Sequence, residues 1–400
     1  MQERQTEEII ASGLAQMDVE GRRLLVIIPD TTRTAPVGLI VKIIHKILSH
    51  HVAQMDLLVA LGTHQPLSRN AMLRHLEMSE EEYECVYSDM KFYNHRWDDP
   101  SSLVEIGVLP AKFIHELTGG LMEEEVRLTL NRLIFDYDHL LIVGPVFPHE
   151  IVGFSGGAKY LFPGISGPEI IDFTHWLAAI ITNRKIIGRA DNPVRRVLHA
   201  GASYLSIPVS TISLVIHQEK LAGVYVGPLK DSWQQAVALA QSLHIVKKPH
   251  PFRLVLACAP TMYEDLWTGG KCMYKCEHVV ADGGELIIYA PHISSFSYTH
   301  GPLLEAIGYH VRDYYLKNMD RFANVSRAVM AVSTYIKGEG RWENNIEKPR
   351  IQVTLATAIG PEACKKVGLG YADPRQIDCS QFRGQEDKGI LFVERAGETL

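Results

Sequence analysis

The stretch LLIVGPVFPHEIVGFSGGAK, residues 140–159, joins an apolar run to a polar turn that is rich in glycine. Residues 140–143 have the length and apolar character of a buried β-strand. His149 and Lys159 follow that strand within the same stretch, and His175 comes further along the chain. Binding sites in α/β proteins lie at the carboxyl ends of parallel strands, so this order predicts a functional site directly after the strand. A lysine there can carry charge or form a covalent bond, and histidines can move protons or hold a metal.

Apolar runs of the same kind recur along the chain and alternate with helical patterns. The other strand-like runs cover residues 24–28, 57–61, 254–257, 286–289, 351–355 and 390–393. The clearest helical patterns cover 38–50 and 231–243, and residues 211–227 have the strand–break–strand pattern of a β-hairpin. Alternating strands and helices predict an α/β protein whose sheets are mainly parallel and flanked by helices.

The length of the chain favours two domains, because 400 residues exceed the size that one hydrophobic core usually reaches. The polar, proline-containing segment 247–251 is the best candidate for a linker, and a new strand-like run begins soon after it. We therefore predict an N-terminal α/β domain over residues 1–247 and a C-terminal α/β domain over 248–400. The active site is expected in the cleft between these two domains.

Composition argues against several classes of protein. With 46% hydrophobic and 22% charged residues, the chain is typical of globular proteins. The net charge of −6 argues against nucleic acid as a general partner, because phosphate binding needs a basic surface. The N-terminus lacks the apolar core of a signal peptide, and no stretch reaches the roughly 18 apolar residues that span a bilayer. We therefore predict a cytoplasmic protein without a membrane partner.

The six cysteines are scattered through the chain, which argues against a disulfide framework. Cys272 and Cys276 have three residues between them, and that spacing fits one face of a helix better than a zinc knuckle.

Two further predicted strands end in polar turns. Asp30 and Arg33 follow the first strand, where the arginine could clamp a carboxylate and the aspartate could accept from hydroxyl groups. A capped turn with a surface ion pair is the alternative explanation. Gly62, Thr63 and His64 follow the second strand, where backbone amides and a hydroxyl could bind phosphate. A simple turn explains this motif as well.

His95 lies beside an aromatic residue and two carboxylates in the segment NHRWDD, residues 94–99. A carboxylate can orient an imidazole, although a lone histidine is more often structural. The turn Ser155-Gly156-Gly157-Ala158-Lys159 departs from the phosphate-binding P-loop, in which Ser or Thr follows the lysine. Lys159 is therefore of more interest as a nucleophile or covalent anchor than as a nucleotide clamp, and a surface lysine is the alternative.

In its order of motifs the chain resembles the nickel-pincer lactate racemase family. That family has an Asp-x-x-Arg turn, a Gly-Thr-His strand end, an Asn-His segment, a Pro-His motif leading into Gly-Phe-Ser-Gly-Gly-x-Lys, and a further histidine. This sequence carries the same order at Asp30 and Arg33, Gly62-Thr63-His64, Asn94-His95, Pro148-His149, residues 153–159 and His175. The resemblance covers most of the chain and is strongest over residues 148–175.

The resemblance implies a cofactor and a set of partners. The cofactor is a nickel-pincer nucleotide, pyridinium-3-thioamide-5-thiocarboxylic acid mononucleotide, attached covalently to Lys159, with His175 as a nickel ligand. His95 and His149 are the implied acid–base residues. The implied cofactor contacts are Asp30, Thr63, His64, Ser155, Gly156 and Gly157. The implied partners are a small 2-hydroxy acid substrate and cofactor maturation enzymes, and a homo-oligomer is compatible with the family.

The resemblance implies that Arg33 and Lys271 hold the substrate carboxylate, and Thr268 is a further predicted substrate contact. A solvated lysine is the alternative for Lys271. The sequence departs from the family at two of its positions. Thr268 stands where a glutamine is expected, which weakens the case for lactate as the substrate. Gln65 stands where an arginine often follows Gly-Thr-His, which bears on contacts to the cofactor phosphate.

These residue types suit the racemisation or 2-epimerisation of 2-hydroxy acids, lactate-like or sugar acids. Direct deprotonation would place a carbanion beside a carboxylate, which is a transition state of high energy. Proton-coupled hydride transfer avoids it, because one imidazole takes the hydroxyl proton while the hydride passes to the cofactor. One acid–base group is needed for each substrate orientation, which accounts for two histidines.

Two other functions remain open from the sequence. A non-catalytic binding or carrier protein for the pincer cofactor, or for a related mononucleotide, would keep Lys159 but would not need both His95 and His149. A zinc hydrolase would need three clustered ligands, and the sequence has no His-Glu-x-x-His pair.

Overall fold

The computed structural model describes residues 1–32, 35–397 and 400, so the predicted substrate contact Arg33 lies outside the described residues. The chain divides into two compact units. The first unit consists of Met1–Thr174 and Gly188–His244, and the second of His175–Ile187 and Ile245–Leu400. The larger segment of the second unit, Ile245–Leu400, begins near the predicted linker. The smaller segment, His175–Ile187, had been placed in the first domain by the sequence analysis.

The strands are short and mostly apolar. Those of the described residues are β1 (Arg23–Pro29), β2 (Gln54–Ala60), β3 (Phe92–Asn94), β4 (Leu103–Leu109), β5 (Val126–Asn131), β6 (His139–Pro145), β7 (Pro148–His149), β8 (Gly153–Phe154), β9 (Val209–His217), β10 (Lys220–Pro228), β11 (Phe252–Cys258), β12 (Val280–Ala290), β13 (Gly340–Glu343), β14 (Ile346–Pro349), β15 (Gln352–Thr357), β16 (Gly370–Tyr371) and β17 (Ile390–Val393).

The α-helices lie between these strands. They are α1 (Glu3–Leu14), α2 (Val37–Leu48), α3 (Arg69–His75), α4 (Glu80–Val86), α5 (Ala111–Thr118), α6 (Pro168–Ile181), α7 (Asn183–Ile186), α8 (Pro193–Ala202), α9 (Leu229–His244), α10 (Leu266–Gly269), α11 (Lys271–Cys276), α12 (Gly301–Ile307), α13 (Arg312–Lys317), α14 (Arg327–Lys337) and α15 (Pro361–Lys366). Short 3-10 helices cover Pro100–Ser102, Arg132–Asp136, Gly157–Tyr160, Glu277–Val279, Met319–Phe322, Pro374–Gln376, Cys379–Phe382 and Glu386–Lys388.

The main sheet of the first unit has the strand order β10-β9-β6-β1-β2-β3 within the described residues. Its neighbours pair in parallel except β9 and β10, which form the antiparallel hairpin predicted for residues 211–227. Every residue of β6 is buried, which explains its continuous apolar run, because a central parallel strand is covered on both faces. Ile40 and Ile44 of α2 are fully buried and pack in one core with Val26 of β1 and Val59 of β2.

The sheet of the second unit has the order β16-β15-β12-β11-β17, and its pairs are all parallel in the described part of the chain. The apolar runs at 254–257, 286–289, 351–355 and 390–393 correspond to β11, β12, β15 and β17. The predicted α/β class with mainly parallel, helix-flanked sheets is therefore confirmed. No helix among the described residues combines the length and the apolar character needed to cross a bilayer.

Register brings the polar strand ends of the first unit to one edge of its sheet. Pro29 at the end of β1 pairs with Ala60 at the end of β2, and Ile27 of β1 pairs with Ile142 of β6. Because the three neighbouring strands are parallel, the loops that follow them leave the sheet at the same edge. Those loops carry Asp30, His64 and His149.

Candidate functional site

A carboxylate–imidazole pair connects the first two strand ends. Asp30 is 6% exposed, and its Oδ1 accepts hydrogen bonds from the backbone N–H of Thr32 at 3.1 Å and from its hydroxyl at 2.6 Å. Its other oxygen, Oδ2, is bonded to Nδ1 of His64. The turn at Thr32 fixes the Asp30 carboxylate, and this carboxylate orients the ring of His64. The His64 side chain is 51% exposed. With Nδ1 bound to the carboxylate, Nε2 is the nitrogen left for proton exchange with a ligand.

The structure brings His149 and Lys159 into contact. Strands β7 and β8 form a tight antiparallel pair, in which His149 is opposite Gly153. The backbone N–H of Ile151 donates to His149 Nδ1 at 3.1 Å, and His149 Nε2 lies 2.6 Å from Lys159 Nζ. A hydrogen bond of this length needs a lone pair on one of the two nitrogens, so one of them accepts from the other.

The glycine turn before Lys159 is fixed by its neighbours. The Ser155 hydroxyl donates to Pro145 O at 2.7 Å and accepts from the Phe147 N–H at 3.0 Å, which ties the turn to the end of β6. Gly156 and Gly157 have φ values of 80° and 57°, in the left-handed region that favours glycine. A Cβ on Gly156 would lie 2.6 Å from Val146 Cγ2, so the turn has no room for a side chain there. The hydroxyl of Ser155 is therefore occupied within the turn, and both glycines are buried against neighbouring side chains.

His95 follows β3 but has a different environment from His64 and His149. It is 1% exposed, its Nε2–H donates to Ser166 O at 2.9 Å, and its Nδ1 accepts from the side-chain amide of Asn131 at 3.0 Å. Burial lowers the pKa of His95 to about 4, so the ring is neutral near pH 7. Both ring nitrogens are thus occupied by protein groups, which is the environment of a structural histidine.

This burial predicts a pH dependence of stability. The unfolded His95 ring takes up a proton below pH 6.5, whereas the folded ring stays neutral down to about pH 4. Acidification through that window therefore favours unfolding, and one such group contributes a slope of up to about 1.4 kcal/mol per pH unit. We expect His95→Gln to remove that part of the slope. The measurement is the free energy of unfolding in urea at pH 7 and pH 5 for the wild type and for His95→Gln. The other buried histidines contribute equally to the two proteins, so the difference in slope reports on His95. An unchanged slope contradicts the expectation.

The second unit carries the remaining predicted residues. His175 is a half-buried residue of α6, and its backbone carbonyl accepts a hydrogen bond from Tyr335 Oη at 2.6 Å. Lys271 is the first residue of α11, and its Nζ lies 5.1 Å from the centroid of the Tyr263 ring. The Thr268 hydroxyl donates to Asp265 Oδ1 at 2.8 Å, and the same oxygen accepts from the Thr268 backbone N–H at 3.0 Å, which caps α10.

Thr63 and His64 are exposed, as direct ligand contacts require. Within the described residues, no group of three or more His, Cys, Asp or Glu side chains is arranged to hold a metal ion. The three clustered protein ligands that a zinc hydrolase needs are therefore not found in the described part of the chain.

Comparison with known proteins places this geometry in context. Residues 4–188 match the family model of the lactate racemase N-terminal domain. A lactate racemase of Thermoanaerobacterium thermosaccharolyticum is 25% identical over 294 residues, which are 72% of this chain and 64% of that protein. The matched region is therefore less than two thirds of that relative's length.

Two solved structures share the fold. A crystal structure of a protein from Thermotoga maritima has a TM-score of 0.85 and 29% sequence identity, and the alignment covers 100% of this chain and 98% of that chain. The lactate racemase apoprotein from Thermoanaerobacterium thermosaccharolyticum has a TM-score of 0.74 at 18% identity, with coverage of 98% and 92%. Because the sequence identity is only 18%, the similarity to this apoprotein shows a shared fold.

Proposed function

We propose, because residues 4–188 match the lactate racemase N-terminal domain and two lactate racemases are similar in sequence, that the chain is a racemase or 2-epimerase of 2-hydroxy acids, lactate-like or sugar acids. The observation that carries the proposal is the 2.6 Å contact between Lys159 Nζ and His149 Nε2 at the end of β6. Asp30 and His64 leave the sheet at the same edge. A primary amine and two imidazoles at one edge are the groups that a tethered cofactor and two proton transfers require.

The residues of the first unit fit the nickel-pincer nucleotide that the family implies. Lys159 offers a primary amine for covalent attachment, and the glycine turn before it packs against Val146 and Trp233. Thr63 is an exposed hydroxyl at the neighbouring strand end. His175 is the chain's proposed nickel ligand, and the other donor atoms come from the cofactor. When bound, this group supplies an acceptor for the hydride of the substrate carbon.

The protein's own residues then move the hydroxyl proton and hold the carboxylate. His149 is one acid–base residue, because its Nε2 is directed at the lysine. The sequence suggested His95 as the second, but we assign that role to His64. His95 is buried with both nitrogens bonded, whereas His64 is half exposed and oriented by Asp30. Arg33 and Lys271 are the proposed cations for the substrate carboxylate.

The proposal is tested on protein produced together with the maturation enzymes. Intact mass should show an adduct on Lys159, and metal analysis should show about one nickel per chain. Single stereoisomers of lactate and of several sugar acids are then incubated with it, and chiral chromatography follows the appearance of the opposite C2 configuration. Inversion of at least one substrate is expected. An adduct without turnover of any of these substrates would favour the carrier function. If the protein shows no adduct and no turnover, the proposal is contradicted.

A further inference from the structure

A buried arginine lies beneath the turn that precedes Lys159. Arg195 of α8 is 1% exposed, and its guanidinium donates to three backbone carbonyls of one segment. Nε donates to Val152 O at 3.4 Å, Nη1 donates to Gly156 O at 3.1 Å, and Nη2 donates to Phe154 O. Burial lowers the pKa of Arg195 to about 9, which still leaves it charged at pH 7. Burying a cation costs desolvation free energy, which the hydrogen bonds to these carbonyls offset.

A tryptophan completes the set of carbonyl contacts. Trp233 of α9 is 2% exposed, and its Nε1–H donates to Ser155 O at 2.8 Å. The ring also stacks on the cation, with Arg195 Cζ 4.3 Å from its centroid. A Cβ on Gly157 would lie 3.0 Å from the ring, so the turn lies directly against it. Arg195 and Trp233 together bind four of the five carbonyls between residues 152 and 156.

These bonds fix which way the turn faces. The C=O and N–H of a planar trans peptide unit point in opposite directions. Because the carbonyls of Ser155 and Gly156 point toward Trp233 and Arg195, the N–H groups of Gly156 and Gly157 point away from them. The same bonds hold the start of the 3-10 helix Gly157–Tyr160, which carries Lys159.

We propose that Arg195 and Trp233 are positioning residues that hold residues 152–156 so that the Lys159 amine meets His149. The hydrogen bonds of both side chains go to backbone carbonyls, so both residues act through the backbone. The importance given to Lys159 as an anchor rests on the proposed function. The positioning itself concerns the protein alone, so it can be measured without any cofactor.

The test uses apoprotein and the reactivity of Lys159 toward an N-hydroxysuccinimide ester, followed by peptide mass spectrometry. Lys112, whose side chain is 86% exposed, is the internal reference. In the wild-type background, His149→Gln is expected to change the Lys159-to-Lys112 rate ratio by at least about twofold, the lower end for groups in contact. In the Trp233→Phe and Arg195→Lys backgrounds the same replacement should leave the ratio unchanged, because the contact is already lost.

Tyr137→Phe is the matched control. Like Trp233→Phe it removes one donor from a buried aromatic residue of the first unit, but Tyr137 Oη bonds to Asp56 of β2. The effect of His149→Gln should persist in this background, which separates positioning from general destabilisation. If Arg195→Lys fails to fold, Trp233→Phe decides alone. A wild-type-sized effect of His149→Gln in Trp233→Phe overturns the proposal, and so does the absence of any effect in the wild-type background. Failure of cofactor loading in the presence of maturation enzymes would contradict the proposed function and leave this result intact.

Discussion

Replacing Lys159 with arginine is expected to eliminate the covalent adduct and to reduce racemisation to the uncatalysed background. Arginine keeps the positive charge and much of the length, but a guanidinium stays protonated near pH 7 and does not act as an amine nucleophile. Without the tether the protein would keep the proposed acid–base residues but lose the proposed hydride acceptor, so no partial activity is expected. Intact mass, nickel content and chiral turnover of the variant, each compared with the wild type after co-production with the maturation enzymes, measure these losses.

The matched control is Lys112→Arg, because the Lys112 side chain lies on α5 and is 86% exposed. It should carry the full adduct mass and turn over substrate at the wild-type rate. An adduct of unchanged mass on Lys159→Arg would mean that another residue anchors the cofactor. Wild-type turnover by Lys159→Arg would remove the chemical basis of the proposed function.

The strands could be predicted from the sequence because each is a local apolar run, and the hairpin of β9 and β10 because its polar break is local too. The contact between His149 and Lys159 was also within reach, since only ten positions separate them. Asp30 and His64 could be singled out because each directly follows a predicted strand, where binding sites of α/β proteins lie.

Other features depend on partners that are distant in the chain. The residues of His175–Ile187 belong to the second unit through bonds such as Tyr335 Oη to His175 O, which joins positions 160 apart. His95 is enclosed by Asn131 and Ser166, 36 and 71 positions away. Arg195 gives no local sign that it is buried, because an arginine near a helix start usually faces solvent. Such contacts have no periodicity and no motif, so the sequence did not indicate them.

The assignment of the acid–base pair gives the second large effect. His64→Gln and His149→Gln are each expected to lower kcat by roughly a hundredfold to ten-thousandfold, the usual contribution of a positioned proton-transfer group. Both variants should keep the Lys159 adduct, because neither residue forms the covalent bond. His95→Gln should lower kcat by much less and show its main effect on stability. Steady-state kinetics on adduct-bearing protein, normalised to adduct content by intact mass, compares the three variants.

Asp30→Asn separates orientation from proton transfer within this pair. An amide can still accept from Thr32 but cannot stabilise a protonated His64, so kcat should fall while His64 itself is retained. If instead His95→Gln loses as much kcat as His149→Gln at full adduct and unchanged unfolding free energy, the buried ring must open toward substrate during turnover. Its bonds to Ser166 and Asn131 would then break in each cycle, and His64 would return to the role of a cofactor contact. The two assignments therefore differ in which variant keeps its stability but loses its rate.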